Sequence, residues 1–125
     1  MISADPTVIL GDGKRLADIL ALAGPDTAPL ILRQMELDLA AVEAAISPAL
    51  RSRDWTAIRA QTHVLISLAG TIGADRLHAA AIDLNVAAHD RAEAHVTRLG
   101  PPLLSDLAHL RAALAGRDSP QNVAP

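Results

Sequence analysis

Leu32, Met35, Leu39, Val42, Ile46 and Leu50 follow one another at steps of three and four residues, the interval that returns side chains to one face of an α-helix. A stripe that long commits its segment, about Thr27–Arg51, to an amphipathic helix. The same spacing recurs along most of the chain. Leu16, Ile19, Leu20 and Ala23 share a face within Lys14–Ala23. Trp55, Ile58, Leu65, Leu68, Ala69 and Ile72 mark a third helix over about Trp55–Thr71. Leu77, Ala80, Ala81, Leu84 and Ala88 mark a fourth over about Arg76–Asp90. Composition agrees: 26 Ala and 19 Leu fill more than a third of the 125 residues, and both are strong helix formers. Trp55 is the only aromatic residue, whereas strands of a sandwich or barrel want β-branched and aromatic side chains. Without cysteine, disulfide frameworks, thiolate-bound zinc and thiol nucleophiles are excluded.

Turn residues divide the stripes. Asp12 or Gly13 caps the first helix, and Gly24-Pro25-Asp26 ends it, because glycine suits the left-handed exit and proline cannot continue. Ser47-Pro48 threatens a kink in the second helix. Asp54 and Asp75 are N-cap residues for the third and fourth. Val96, Leu99, Leu103, Leu107, Leu110 and Leu114 keep helical spacing across Gly100-Pro101-Pro102. There a break is expected, with proline opening a new helix. The reading is an all-α domain, an antiparallel four-helix bundle with a short additional N-terminal helix. Residues 1–12 form a lead-in whose Val8 to Leu10 lie against the bundle, 13–116 the bundle, and 117–125 a polar tail expected to be disordered.

Fourteen acidic against eleven basic residues give a net charge of −3, with no basic stripe and no aromatic platform, which argues against nucleic-acid binding. The N-terminus lacks the basic-then-apolar order of a signal peptide. No apolar run reaches the roughly 18 residues of a membrane span. A cytoplasmic chain that does not engage membranes is expected.

The third helix carries the exception to this pattern. On a wheel centred on Leu65, Ile58 and Ile72 fall within about 20° and His63 lies at about 160°, opposite the core. Its surface neighbours include Arg59, Ile66, Ser67 and Gly70. Gly70 costs a helix interior about 1 kcal/mol relative to alanine; close approach of another surface is one reason to tolerate it. An imidazole, which ordinarily titrates near about pH 6.5, offers a ring-nitrogen lone pair for attack on phosphorus.

The stretch His63-Val-Leu-Ile-Ser-Leu-Ala-Gly-Thr-Ile-Gly-Ala74, followed by Leu77 and Leu84-Asn85, resembles the histidine-containing phosphotransfer (HPt) domains of bacterial phosphorelays. His63, Leu65, Ala69, Gly73, Ala74, Leu77 and Leu84 match that family's pattern, and Asp54-Trp55 is similar to its frequent acid-plus-bulky helix start. The helix order from about residue 14 to 115 fits as well. Three positions depart from it: Ile66 stands where the family usually has lysine, Ser67 where it usually has glycine, and Asn85 where glutamate is common.

The resemblance implies a phosphorelay protein that takes a phosphoryl group on His63 from a response-regulator receiver aspartate and passes it to another receiver, with a hybrid histidine kinase as a further partner. No carboxylate lies within one turn of His63 on its face, so Mg²⁺ is expected from the receiver, and no cofactor is expected on this chain. Arg59 is the nearest cation to replace the missing lysine. Ser67 is able to donate a hydrogen bond to a phosphoryl oxygen, Ile66 to widen an apolar docking rim, and Gly70 to admit the partner. The chain would be a monomeric carrier rather than an enzyme; it has no Gly-x-x-x-x-Gly-Lys-Ser/Thr loop for ATP.

Blander readings compete. A lone helical histidine is usually surface, and the alternative for the whole bundle is a helical interaction module that binds signalling partners without transfer. His78 and His89 share a face but lie about three turns apart, and neither they nor His95 and His109 assemble the three or four ligands a zinc site needs. Ile82 and Val86 form an apolar strip on the fourth helix, read first as a contact with the last helix and second as a dimer surface.

Overall fold

The computed structural model describes residues 9–118. Among the described residues from Lys14 on, five helices follow one another: α1 (Lys14–Ala23), α2 (Ala28–Ser52), α3 (Trp55–Ile72), α4 (Asp75–His89) and α5 (Glu93–Asp118). The described residues contain no strand, so the all-helical expectation holds. Residues 1–8 and 119–125, most of the expected lead-in and tail, lie outside the described residues. Ile9 and Leu10 are buried, in keeping with a lead-in lying against the helices.

The helix ends follow local chemistry. Gly13 enters α1 at φ 70°, and the Lys14 backbone N–H donates to Asp12 Oδ1 at 2.9 Å, satisfying an otherwise orphaned donor. Pro29 sits in the first turn of α2, where its missing N–H costs nothing. Asp54 caps α3, its carboxylate accepting from the Ala57 N–H at 3.1 Å. Asp75, expected to cap the fourth helix, is instead its first residue. Ala74 precedes it without a side-chain cap, and the Asp75 carboxylate pairs with Arg15 at 2.9 Å. The ion pair to α1 has taken the carboxylate away from the backbone.

The largest difference from expectation is α5, which runs unbroken through Gly100-Pro101-Pro102 and on through Arg117 and Asp118. The two prolines deprive the Thr97 and Arg98 carbonyls of their helical donors. Thr97 and Arg98 are both exposed, which leaves those carbonyls open to water. A break would turn half of the apolar stripe from the core. Val96, Leu103, Leu107, Leu110 and Leu114 are all buried, and burial of each stabilises by about 1.5–3 kcal/mol. Together they outweigh about 3 kcal/mol per proline. Gly100 brings the helix close to α2, where a Cβ would stand 3.4 Å from Leu50 Cδ1. Helix α2 likewise continues through Pro48.

These helices make a helical bundle. α2 packs on α3 and α5, α4 packs on α3 and α5, and α1 lies against α2 and α3. The whole α2 stripe points inward, Met35 half-buried and the rest buried. Arg76 joins α4 to Asp106 of α5 at 2.6 and 3.0 Å, and this hydrogen bonding holds its guanidinium pKa above the ordinary value. Arg111 pairs with Glu43 of α2. Surface pairs of this kind contribute at most about 1 kcal/mol each, so the apolar core carries the stability. No helix among the described residues is long and apolar enough to cross a membrane.

Candidate functional site

His63 stands exposed in the middle of α3, as the wheel requires. It makes no hydrogen bond to another described residue. The residues directly beneath it are held firmly. Thr62 is the buried polar side chain of the described core; its Oγ1 donates to the Ile58 carbonyl at 2.8 Å. From α4, Asn85 donates Nδ2 to that same Oγ1 at 2.9 Å and reaches the Arg59 carbonyl at 3.3 Å. Thr62 therefore both gives and accepts, so its buried hydroxyl is satisfied as donor and as acceptor. This network ties α4 to α3 one residue from His63, and it gives Asn85 a structural task at the position where the HPt pattern has glutamate. Thr62 is not among the expected site residues. Its signal is its place on the wheel, about 60° from Leu65 on the buried side, where a polar residue must find a partner.

The other candidates divide. Ser67 is exposed beside His63, and Arg59 is half-exposed, its guanidinium without a partner among the described residues. Ile66 is half-buried and packed against the core, so the broad apolar rim expected of it is reduced to its outer part. Gly70 is explained from within the chain. A Cβ there would lie 3.2 Å from the His78 ring, and Arg15 donates to the Gly70 carbonyl at 2.9 Å. The surface that approaches Gly70 is thus contributed by α4 and α1. The same arginine crosses Gly73, which ends α3 at φ 90° with no room for a side chain: a Cβ would meet Arg15 Cβ at 3.0 Å. Sequence reasoning misses Arg15, because nothing local to it signals a bond to residues 55 and 60 positions away.

No group of three or more His, Asp or Glu side chains among the described residues converges as metal ligands. His109 keeps a buried Nδ1 without a hydrogen-bond partner. A groove of about 310 Å³ between α2 and α5, over Leu50, Gly100 and Leu104, and a cleft of about 350 Å³ between α4 and α5 are not lined by His63. His63 stands on an exposed helix face outside both.

Fold and site together define a class, a small helical bundle that displays in mid-helix an exposed histidine, unbonded among the described residues. Comparison takes it no further: no protein-family model matches the chain, and neither a curated protein nor a solved structure does.

Proposed function

We propose that the chain is a phosphohistidine carrier of the HPt kind, its four long helices forming an antiparallel bundle with α1 laid across one end. The observation that carries this reading is His63 itself: exposed, unbonded among the described residues, and mounted on a helix whose underside is pinned by Thr62 and Asn85. A neutral ring nitrogen of His63 attacks the phosphorus of a receiver's aspartyl phosphate. The N–P bond forms as the acyl phosphate P–O bond breaks, the carboxylate departs with its electron pair, and the other ring nitrogen gives up its proton to solvent. Transfer to a second receiver runs the sequence in reverse. Phosphoryl transfer depends on in-line placement and charge neutralisation. Arg59 supplies one cation from this chain and the receiver brings Mg²⁺, since residues 59–67 hold no carboxylate. Ser67, small and exposed, lets the donor approach. A monomer working in the cytoplasm between a hybrid kinase and its receivers fits this role.

Receiver domains phosphorylated with acetyl phosphate and Mg²⁺ pass label to the wild-type chain and not to His63→Gln. Equal labelling of both, or labelling of neither across a broad receiver panel, contradicts the proposal. Ile66 and Ser67, where the HPt pattern has lysine and glycine, favour a second reading: a bundle that still binds such partners but no longer transfers. On that reading a receiver binds His63→Ala as tightly as wild type and neither is ever phosphorylated.

A further inference from the structure

Helix α2 carries two stripes. Leu32, Leu39 and Ile46 turn to the core and are buried. On the opposite side, within about 40° of the point facing away from Leu39, Leu30, Gln34, Leu37, Ala41, Ala44 and Pro48 follow one another at alternating steps of four and three residues. Leu30 and Leu37 are 66% and 53% exposed, and the other four are exposed as well. A helix buried on one side ordinarily sets charge on the other. The charged residues of α2 are Arg33, Glu36, Asp38, Glu43 and Arg51, and none of them falls on this second stripe. The exposed pair of α4, Ile82 and Val86, has no such run: continued at the same steps it meets Asp75 and His89.

Steps of four and three are the spacing of a coiled-coil seam, in which Leu30, Leu37 and Ala44 take the d positions and Gln34, Ala41 and Pro48 the a positions. In a parallel pair, the residue preceding an a position meets the residue five further along the partner helix, and opposite charges there choose partner and orientation. On α2 those two residues are Arg33 and Asp38. Arg33 is exposed and without a partner among the described residues. Asp38 Oδ1 accepts from Gln34 Nε2 of its own helix at 2.8 Å, which leaves Oδ2 for a second donor. The next such pairings along α2, Ala40 with Ala45 and Ser47 with Ser52, set no like charges together. An antiparallel pair sets each flank against its own copy, and the flank of Arg33 continues with Ala40 and Ser47, without a carboxylate. Gln34 is a polar residue at an a position, a feature that fixes register at some cost in stability.

We infer that this stripe of α2 is a self-association surface, occupied by the same stripe of a second copy in a parallel, two-fold pair, with Arg33 of each chain bonded to the partner's Asp38. The inference does not rest on the phosphohistidine reading. His63 and Arg59 lie on α3 and gain nothing from the second copy, so the single chain stays the unit of transfer and the short seam joins two of them reversibly.

Sedimentation equilibrium between about 1 μM and about 1 mM protein, the range of a weak to moderate association, should show the average mass rising from one chain to two. Leu37→Asp should stay at one chain while thermal melting shows it folded. Ile82→Asp, on a helix that packs on α3 and α5, should pair as the wild type does. Arg33→Asp and Asp38→Arg should each weaken self-association about tenfold, and an equimolar mixture of the two should restore it, because each charge then meets its opposite. The chain has no cysteine, so Leu30→Cys and Ala44→Cys, made singly, should both cross-link on oxidation, which only a parallel pair in register allows. A mass of one chain at every concentration, a dimer indifferent to Leu37→Asp or split by Ile82→Asp, charge variants no weaker than their mixture, or cross-linking of only one of the two cysteine variants would each overturn the inference and leave the carrier reading untouched.

Discussion

At the scale of single residues, the region around His63 is explained by what its neighbours cannot be. Gly70 gives up about 1 kcal/mol of helix propensity because His78 occupies the space a methyl group would take, 3.2 Å from the built Cβ. Gly70→Ala should therefore change stability little in the wild-type chain, as propensity and crowding offset each other. In a His78→Ala background the same substitution should recover close to the full propensity gain. A double-mutant cycle by urea unfolding reads the difference, and identical effects in both backgrounds would show that the ring is not the reason for the glycine. Thr62 makes the complementary case. Thr62→Val keeps the shape but removes the acceptor of the shorter Asn85 bond and leaves that amide only the 3.3 Å bond to the Arg59 carbonyl, costing about 1 kcal/mol, and the same unfolding measurement checks it. The exposure of His63 follows from a wheel drawn on sequence alone. The Thr62–Asn85 bond and the Arg15 bridge do not, because both join residues whose proximity only the packing of whole helices creates.

Among the elements, α1 to α3 are legible because apolar stripe and turn signals agree: Asp54 before Trp55, Gly73 after Ile72, Gly24-Pro25 after Ala23; α4 is legible from its stripe alone, since Asp75 begins the helix without capping it. α5 departs from expectation because local and tertiary signals conflict at Gly100-Pro101-Pro102, and the buried leucine stripe outweighs the prolines. Pro101→Ala returns a donor to the Thr97 carbonyl and should raise the melting temperature, by the equivalent of about 1 kcal/mol or more. The backbone amide gained at position 101 should be protected from hydrogen exchange. A lower melting temperature with that amide unprotected would mean that α5 is not continuous there.

Across the whole molecule, burial and function are separated. The leucine and isoleucine stripes face a common core, ion pairs such as Arg76–Asp106 and Arg15–Asp75 link the outsides of the helices, and His63 stands clear of both systems. The bundle keeps that histidine exposed in the middle of α3. The central claim is that His63 carries a phosphoryl group, and peptide mapping by mass spectrometry after incubation with phosphorylated receivers and Mg²⁺ tests it most directly. An acid-labile, alkali-stable phosphate on the peptide containing His63, absent from His63→Gln, is the predicted result. No phosphate on that peptide from any receiver, or one placed on His78 or His89 instead, would contradict it.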